Sequence, residues 1–124
     1  GEKCDIVTAD VSFISLKKIF PAINNVLKTD GCNICLIKPQ FEASHRQVGK
    51  NGILRDPADL PPLLYSIAES ASENGLFLNA LTVSPIHGTN GNVEYLAKFD
   101  RKRTISSENW IDLINKAILE NPDE

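Results

Sequence analysis

The sequence predicts an α/β domain, half of a doubly wound sheet with flanking helices. Three observations predict it. Short apolar runs alternate with stretches of helical period. Their order reads strand, helix, strand, helix, strand, strand, helix. Two of the apolar runs stop abruptly on a charged residue, Asp10 and Lys38. On that order the first three strands are expected to be parallel with right-handed crossovers, and the fourth antiparallel.

The elements follow in turn. "CDIVTA" reads as a short buried strand ending at Asp10. Leu16, Ile19, Phe20, Ile23 and Leu27 then recur at helical spacing, with Ser15 as a cap and Asp30-Gly31 as the stop. Pro21 either kinks the first turns or marks where that helix begins. "NICLI" is the second strand, closed by Lys38-Pro39. Residues 40–55 are polar, carry glycine and keep no period. A loop of about 15 residues in a small domain is usually functional or disordered. Asp56-Pro57 and Asp59 offer starts for a second helix, Leu60, Leu63, Leu64, Ile67, Ala68 and Ala71 line its face, and Asn74-Gly75 closes it. Residues 76–83 form a third strand. After the turn-rich "SPIHGTNGN", the segment "VEYLAKF" alternates with period two, which suits a hairpin with an elaborate loop. Ser106 or Ser107 caps a last helix with the stripe Trp110, Leu113, Ile114 and Ala117.

Composition narrows the function. The chain has 124 residues, enough for one core, and a formal charge of −3. Bulk electrostatics therefore do not draw it onto nucleic acid or an anionic membrane. No apolar stretch approaches the roughly 20 residues that span a bilayer, and no basic-then-apolar leader opens the sequence. Cys4, Cys32 and Cys35 fit a reducing, cytoplasmic setting. Cys32 and Cys35 form a C-x2-C, but strand geometry sends them to opposite faces, so no metal is expected there.

In doubly wound sheets ligands bind beyond the carboxyl ends of strands, where Asp10 and Lys38 both sit. Pro39 stiffens the exit and biases Lys38 toward extended geometry, aiming its ammonium into the crevice as a base or positioner. The ordinary alternative is a strand-end lysine reaching for water. Asp10 either caps the turn near Ser12 and Ser15 or pairs with Lys38 across neighbouring strands. Glu94 falls one residue into the fourth strand, where a glutamate is usually solvated. Gly88 and Gly91 let the backbone approach a ligand. Residues 41–55 carry His45, Arg46, Lys50 and Arg55 against Glu42. That is either a mobile solvated loop or a basic flap for a phosphate-bearing substrate.

The segments "TADVSFISL", "LIKPQFEA", "VGKNGILRDP" and "SPIHGTNGNVEYL", in this order, resemble the haemolysin-A-type (TlyA-like), FtsJ-like family of ribosomal RNA 2′-O-methyltransferases. The resemblance covers residues 5–99. It implies a Rossmann-like sheet, S-adenosylmethionine as methyl donor, ribosomal RNA as substrate and a Lys-Asp-Lys-Glu catalytic set. Asp10 matches the aspartate, which also lines the cofactor's methyl region; Lys38 matches the second lysine and Glu94 the glutamate. Arg46, Lys50 and Arg55 are the candidate substrate contacts.

The mechanism implied is in-line attack of a ribose 2′-oxygen on the sulfonium methyl. Lys38 would stabilise the oxyanion or take its proton, Asp10 would orient a lysine, and Glu94 would hold the cation or the ribose. The family's first lysine, its glycine-rich cofactor turn and its ribose-holding acid would all precede Gly1. The sequence is thus expected to be the C-terminal half of the catalytic domain (1–103) followed by a C-terminal helix (104–124). Alone it is expected to be inactive and without S-adenosylmethionine affinity. Its first strand would present an apolar edge that either mediates dimerisation or is covered by residues upstream of Gly1. Two other classes compete: a membrane-lytic toxin and a non-catalytic RNA-binding domain.

Overall fold

The computed structural model describes residues 2–88 and 91–120. The elements are β1 (Cys4–Ala9), α1 (Phe20–Val26), β2 (Leu27–Ile37), α2 (Pro39–Glu42), α3 (Leu60–Glu73), β3 (Phe77–Val83), β4 (Tyr95–Asp100) and α4 (Ser107–Leu119). Single 3-10 turns at Leu16–Lys18 and Pro57–Asp59 lead into α1 and α3.

The four strands form one mixed sheet in the order β1-β2-β4-β3. This corrects the expected set of three parallel strands. Only β1 and β2 form a parallel pair. β4 runs antiparallel to both β2 and β3 and separates them. Period-two alternation reveals that β4 is a strand, but not which neighbours it takes. The hairpin return carries β4 inward, where Tyr95, Ala97 and Phe99 bury one face beside Cys35 and Ile37. β3 is left at one edge and β1 at the other. Glu120 covers part of the β3 edge, accepting from the Val83 N–H at 3.3 Å.

The first helix also departs from the sequence reading. It begins at Phe20 with Pro21 in its first turn, the position where a missing N–H costs nothing. Ser15 caps the preceding 3-10 turn, accepting from Lys17 N–H at 3.1 Å. α1 then ends at Val26, and β2 runs straight through Asp30-Gly31 instead of stopping there. The Arg101 guanidinium explains the early end. It donates to the carbonyls of Asn24 and Leu27, at 2.7 Å each, and satisfies the helix terminus that a C-terminal glycine would otherwise serve.

α1, α3 and α4 share a core with one face of the sheet. Phe20 meets Phe99 edge-on at 5.3 Å, and Tyr65 meets Trp110 at 5.8 Å. The Arg103 guanidinium lies 4.9 Å from the Phe77 ring centroid and 5.5 Å from that of Trp110, which ties α4 to the sheet. Positions of the opposite face, including Ile6, Ile34, Leu96 and Lys98, are half-buried or exposed; Ile6 is 62% exposed. Cys35 points into the core, donates to Asn33 Oδ1 at 2.9 Å, and has its thiol pushed up to about 12 by burial. Cys32 lies half-buried on the other face.

Gly31 packs hard against two neighbours. A Cβ there would fall 2.7 Å from Leu27 Cδ1 and 2.8 Å from the Asp5 carbonyl oxygen. Backbone on one side and a buried leucine on the other leave little room to yield. Gly31→Ala is expected to cost about 1–3 kcal/mol by urea denaturation; a variant as stable as the parent would contradict this packing.

Candidate active site

Register brings the charged strand ends together. In the β1–β2 ladder Ala9 lies level with Cys35, so Asp10 leaves the sheet just before Lys38 does. In the β2–β4 ladder Ile37 pairs with Tyr95, so the next step sets Lys38 opposite Glu94. β2 thus holds Lys38 between a parallel neighbour ending in Asp10 and an antiparallel neighbour starting just after Glu94.

The Lys38 amine lies 2.6 Å from Asp10 Oδ1 and donates to Ser12 Oγ at 3.1 Å. The lysine side chain is 15% exposed and that of Asp10 64%. An ion pair so open on the acid side adds little stability. Its effect is to fix where the amine points. Glu94, across β2, is 6% exposed, although its place by a strand end suggests solvation. It precedes β4 rather than lying in it, so strand alternation does not govern its direction. Among the described residues Lys38 pairs with Asp10 and not with Glu94.

The chain after Lys38 is a helical turn, not the start of a loop. Lys38 takes the N-cap position in extended geometry and Pro39 the first helical position. Three successive side chains of this turn then reach three different segments. Gln40 Nε2 donates to Glu94 Oε2 at 3.2 Å. The Phe41 ring lies 4.6 Å from that of Phe13, tilted by 47°. Glu42 accepts from Ser15 Oγ at 2.5 Å and from Leu16 N–H at 2.9 Å, holding the segment that follows β1.

Phe13 is unusual in two ways. Its φ is +64°, a left-handed backbone that costs a bulky residue about 1–2 kcal/mol. Its ring is also 88% exposed. Phe13, Gln40, Phe41, Ser44, His45 and Val48 line a cleft of about 300 Å³. A larger groove of about 430 Å³ runs between α3 and α4. Among the described residues neither lining contains Asp10, Lys38 or Glu94; the candidate site is placed by where those three side chains gather, with the smaller cleft beside it through Gln40.

Residues 43–56 fold back on themselves through a bridge between Val48 and Leu54. Arg46 and Lys50 are exposed on this flap, as the phosphate-contact expectation requires. Arg55 instead spends its Nε–H on the Val48 carbonyl at 3.2 Å and braces the flap. Asn92 Nδ2 donates to the Gly52 carbonyl at 2.9 Å, tying the flap to the loop that precedes Glu94.

Sequence reasoning named Asp10, Lys38 and Glu94 as candidates and did not name Ser12, Phe13, Gln40 or Phe41 as site residues. All four stand inside the quoted motifs "TADVSFISL" and "LIKPQFEA". The available signal was two phenylalanines beside charged strand ends in segments too polar to be core.

A profile of the FtsJ-like methyltransferase family matches residues 1–101. The chain belongs to the FtsJ-like methyltransferase family. Among the family's named relatives, the chain is 36% identical over 124 residues to the 16S/23S rRNA (cytidine-2′-O)-methyltransferase TlyA of Mycobacterium tuberculosis, covering 98% of this chain and 46% of that protein. It is 42% identical over 94 residues to Hemolysin A of Brachyspira hyodysenteriae, covering 76% of this chain and 39% of the other. A solved structure of a hemolysin-named protein from Streptococcus thermophilus superposes with a TM-score of 0.80 at 32% identity, over 94% of this chain and 43% of that one. The chain thus spans less than half the length of these relatives. No helix among the described residues is long and apolar enough to cross a membrane.

Gly88 presses on the Glu94 carboxylate: a Cβ there would overlap it, with Glu94 Cδ only 2.6 Å away. A crystal structure of Gly88→Ala is expected to show Glu94 displaced and its contact with Gln40 lost. An unmoved Glu94 would contradict the fit.

Proposed function

We propose that this chain carries the catalytic rim of an rRNA ribose 2′-O-methyltransferase that uses S-adenosylmethionine. The observation that supports it best is the Lys38 amine held between Asp10 and Ser12 at the carboxyl ends of β1 and β2, opposite Glu94. Family membership supports the reaction class, and the rRNA methyltransferase relatives support ribosomal RNA as substrate and with it a cytoplasmic setting.

The donor set suits the cofactor. Asp10 stands at the lip of an edge strand with its carboxylate open, an anionic group suited to a sulfonium-bearing molecule. When bound, S-adenosylmethionine supplies an electrophilic methyl group. The rest of the reaction asks mainly for alignment and for management of one hydroxyl proton. Lys38 donates a hydrogen bond to the 2′-oxygen and stabilises the charge that develops there. Asp10 and Ser12 aim the amine. Glu94 accepts the hydroxyl hydrogen and takes the proton as the oxygen bonds to carbon.

RNA is held around this centre. Arg46 and Lys50 on the flap meet phosphates, with Arg55 bracing the flap beneath them. Phe13 and Phe41 offer an exposed aromatic surface to a base lifted out of its stack. An exposed phenylalanine kept in a strained backbone is otherwise unprofitable.

Lys38→Ala and Asp10→Ala test the reading in the full-length protein that carries this sequence. Each is expected to lower methyl transfer to ribosomal RNA by at least about a hundredfold, with RNA affinity held within about threefold. Unchanged transfer would overturn the assignment, and loss of RNA binding with transfer would favour a binding domain instead. Phe13→Ala, assayed alongside, is expected to raise the KM for RNA by about five- to a hundredfold, the range of one aromatic–base stack. An unaltered KM would remove the platform.

A further inference from the structure

The Gln40 side chain is poorly explained by packing. Its Nε2 donates to Glu94, while its Oε1 is buried with no hydrogen-bond partner among the described residues. A buried acceptor left unpaired costs about 1–3 kcal/mol. Turning the amide over brings no relief, because it would set Oε1 against a carboxylate oxygen, acceptor against acceptor. An apolar side chain of similar volume would avoid the cost altogether. What glutamine provides that methionine or leucine would not is the single N–H directed at Glu94.

Its place in the fold sharpens the point. Gln40 is the second residue of α2, one step past the proline that ends β2, so its backbone is fixed by the same turn that fixes Lys38. Gly88 closes on the Glu94 carboxylate from the hairpin loop. The carboxylate is thus confined on one side by the absence of a side chain and held on the other by a directed donor.

We propose that Gln40 is a positioning residue for Glu94: its amide holds the carboxylate in the orientation that receives the hydroxyl proton. The inference rests on the catalytic role given to Glu94 above. It implies that Gln40 acts only through Glu94, so the two losses do not add.

The test uses the full-length protein with S-adenosylmethionine and ribosomal RNA. Gln40→Met is expected to lower kcat about tenfold, the scale seen when a partner that orients a functional group is removed. KM for RNA should stay within about twofold, and thermal stability should change little, since the unpaired oxygen is removed while the buried Glu94 carboxylate loses a donor. Gln40→Met combined with Glu94→Ala should be no slower than Glu94→Ala alone. Gln40→Glu provides a second arm should the methionine variant fold poorly. It removes the directed N–H and sets an acceptor against the Glu94 carboxylate, so kcat should fall at least as far as in Gln40→Met.

A wild-type kcat for Gln40→Met, multiplicative losses in the double variant, or a wild-type kcat for Gln40→Glu would each overturn the positioning role. If Glu94→Ala itself keeps the wild-type rate, the catalytic role of Glu94 falls first, and the role of Gln40 with it. That result is separable, because Glu94→Ala is measured independently of any Gln40 variant.

Discussion

The register of β2 between its two neighbours is the constraint on which the site depends. β1 pairs with it in parallel and β4 antiparallel, so the carboxyl end of β2 lies beside the end of one strand and the beginning of another. Lys38 stands at that junction. A residue earlier or later, the alternation of a strand would send its side chain to the opposite face and part it from Asp10. The ladder positions the charges before any of them interact. That matters because the ion pair is too exposed on the Asp10 side to organise the structure itself.

The turn after Lys38 extends the same constraint. Pro39 ends the strand because it has no N–H for the ladder and is preset for the first helical position. One turn of helix then distributes Gln40, Phe41 and Glu42 to the β4 entrance, the aromatic cleft and the segment after β1. Lys38, Gln40, Phe41 and Glu42 thus reach Asp10, the segment that follows it and Glu94. The local costs gather here as well: a left-handed Phe13, an exposed aromatic ring and an unpaired Gln40 oxygen. These three share one cleft, as a functional surface is expected to show; the core carries a cost of its own, the Trp110 Nε1 buried without a hydrogen-bond partner among the described residues.

Asp10 and Lys38 were legible in the sequence because an apolar run that ends on a charge is a local signal, although β1, expected to be buried, is half-buried to exposed throughout. The helical stripes of α3 and α4 were legible for the same reason. The sheet order was not, since period-two alternation says nothing about which strand a hairpin will lie beside. Glu94 was named by its motif, but its burial was not legible, since a glutamate at a strand end is usually solvated. Its burial comes from Gly88, six residues earlier, folding over it, and from Gln40, 54 positions away in sequence. The early end of α1 depended on Arg101, also remote in sequence. Phe13 carries no local sign of its positive φ. What sequence could not supply was long-range contact and backbone strain, and the site uses both.

The most direct measurement is a crystal structure of the full-length protein with a demethylated cofactor product and a short RNA bearing the target nucleotide. The account predicts the ribose 2′-oxygen within hydrogen-bond reach of the Lys38 amine, about 3 Å, with the Asp10 contact retained. A 2′-oxygen seated away from Lys38, beyond what a side-chain rotation could bridge, would contradict it.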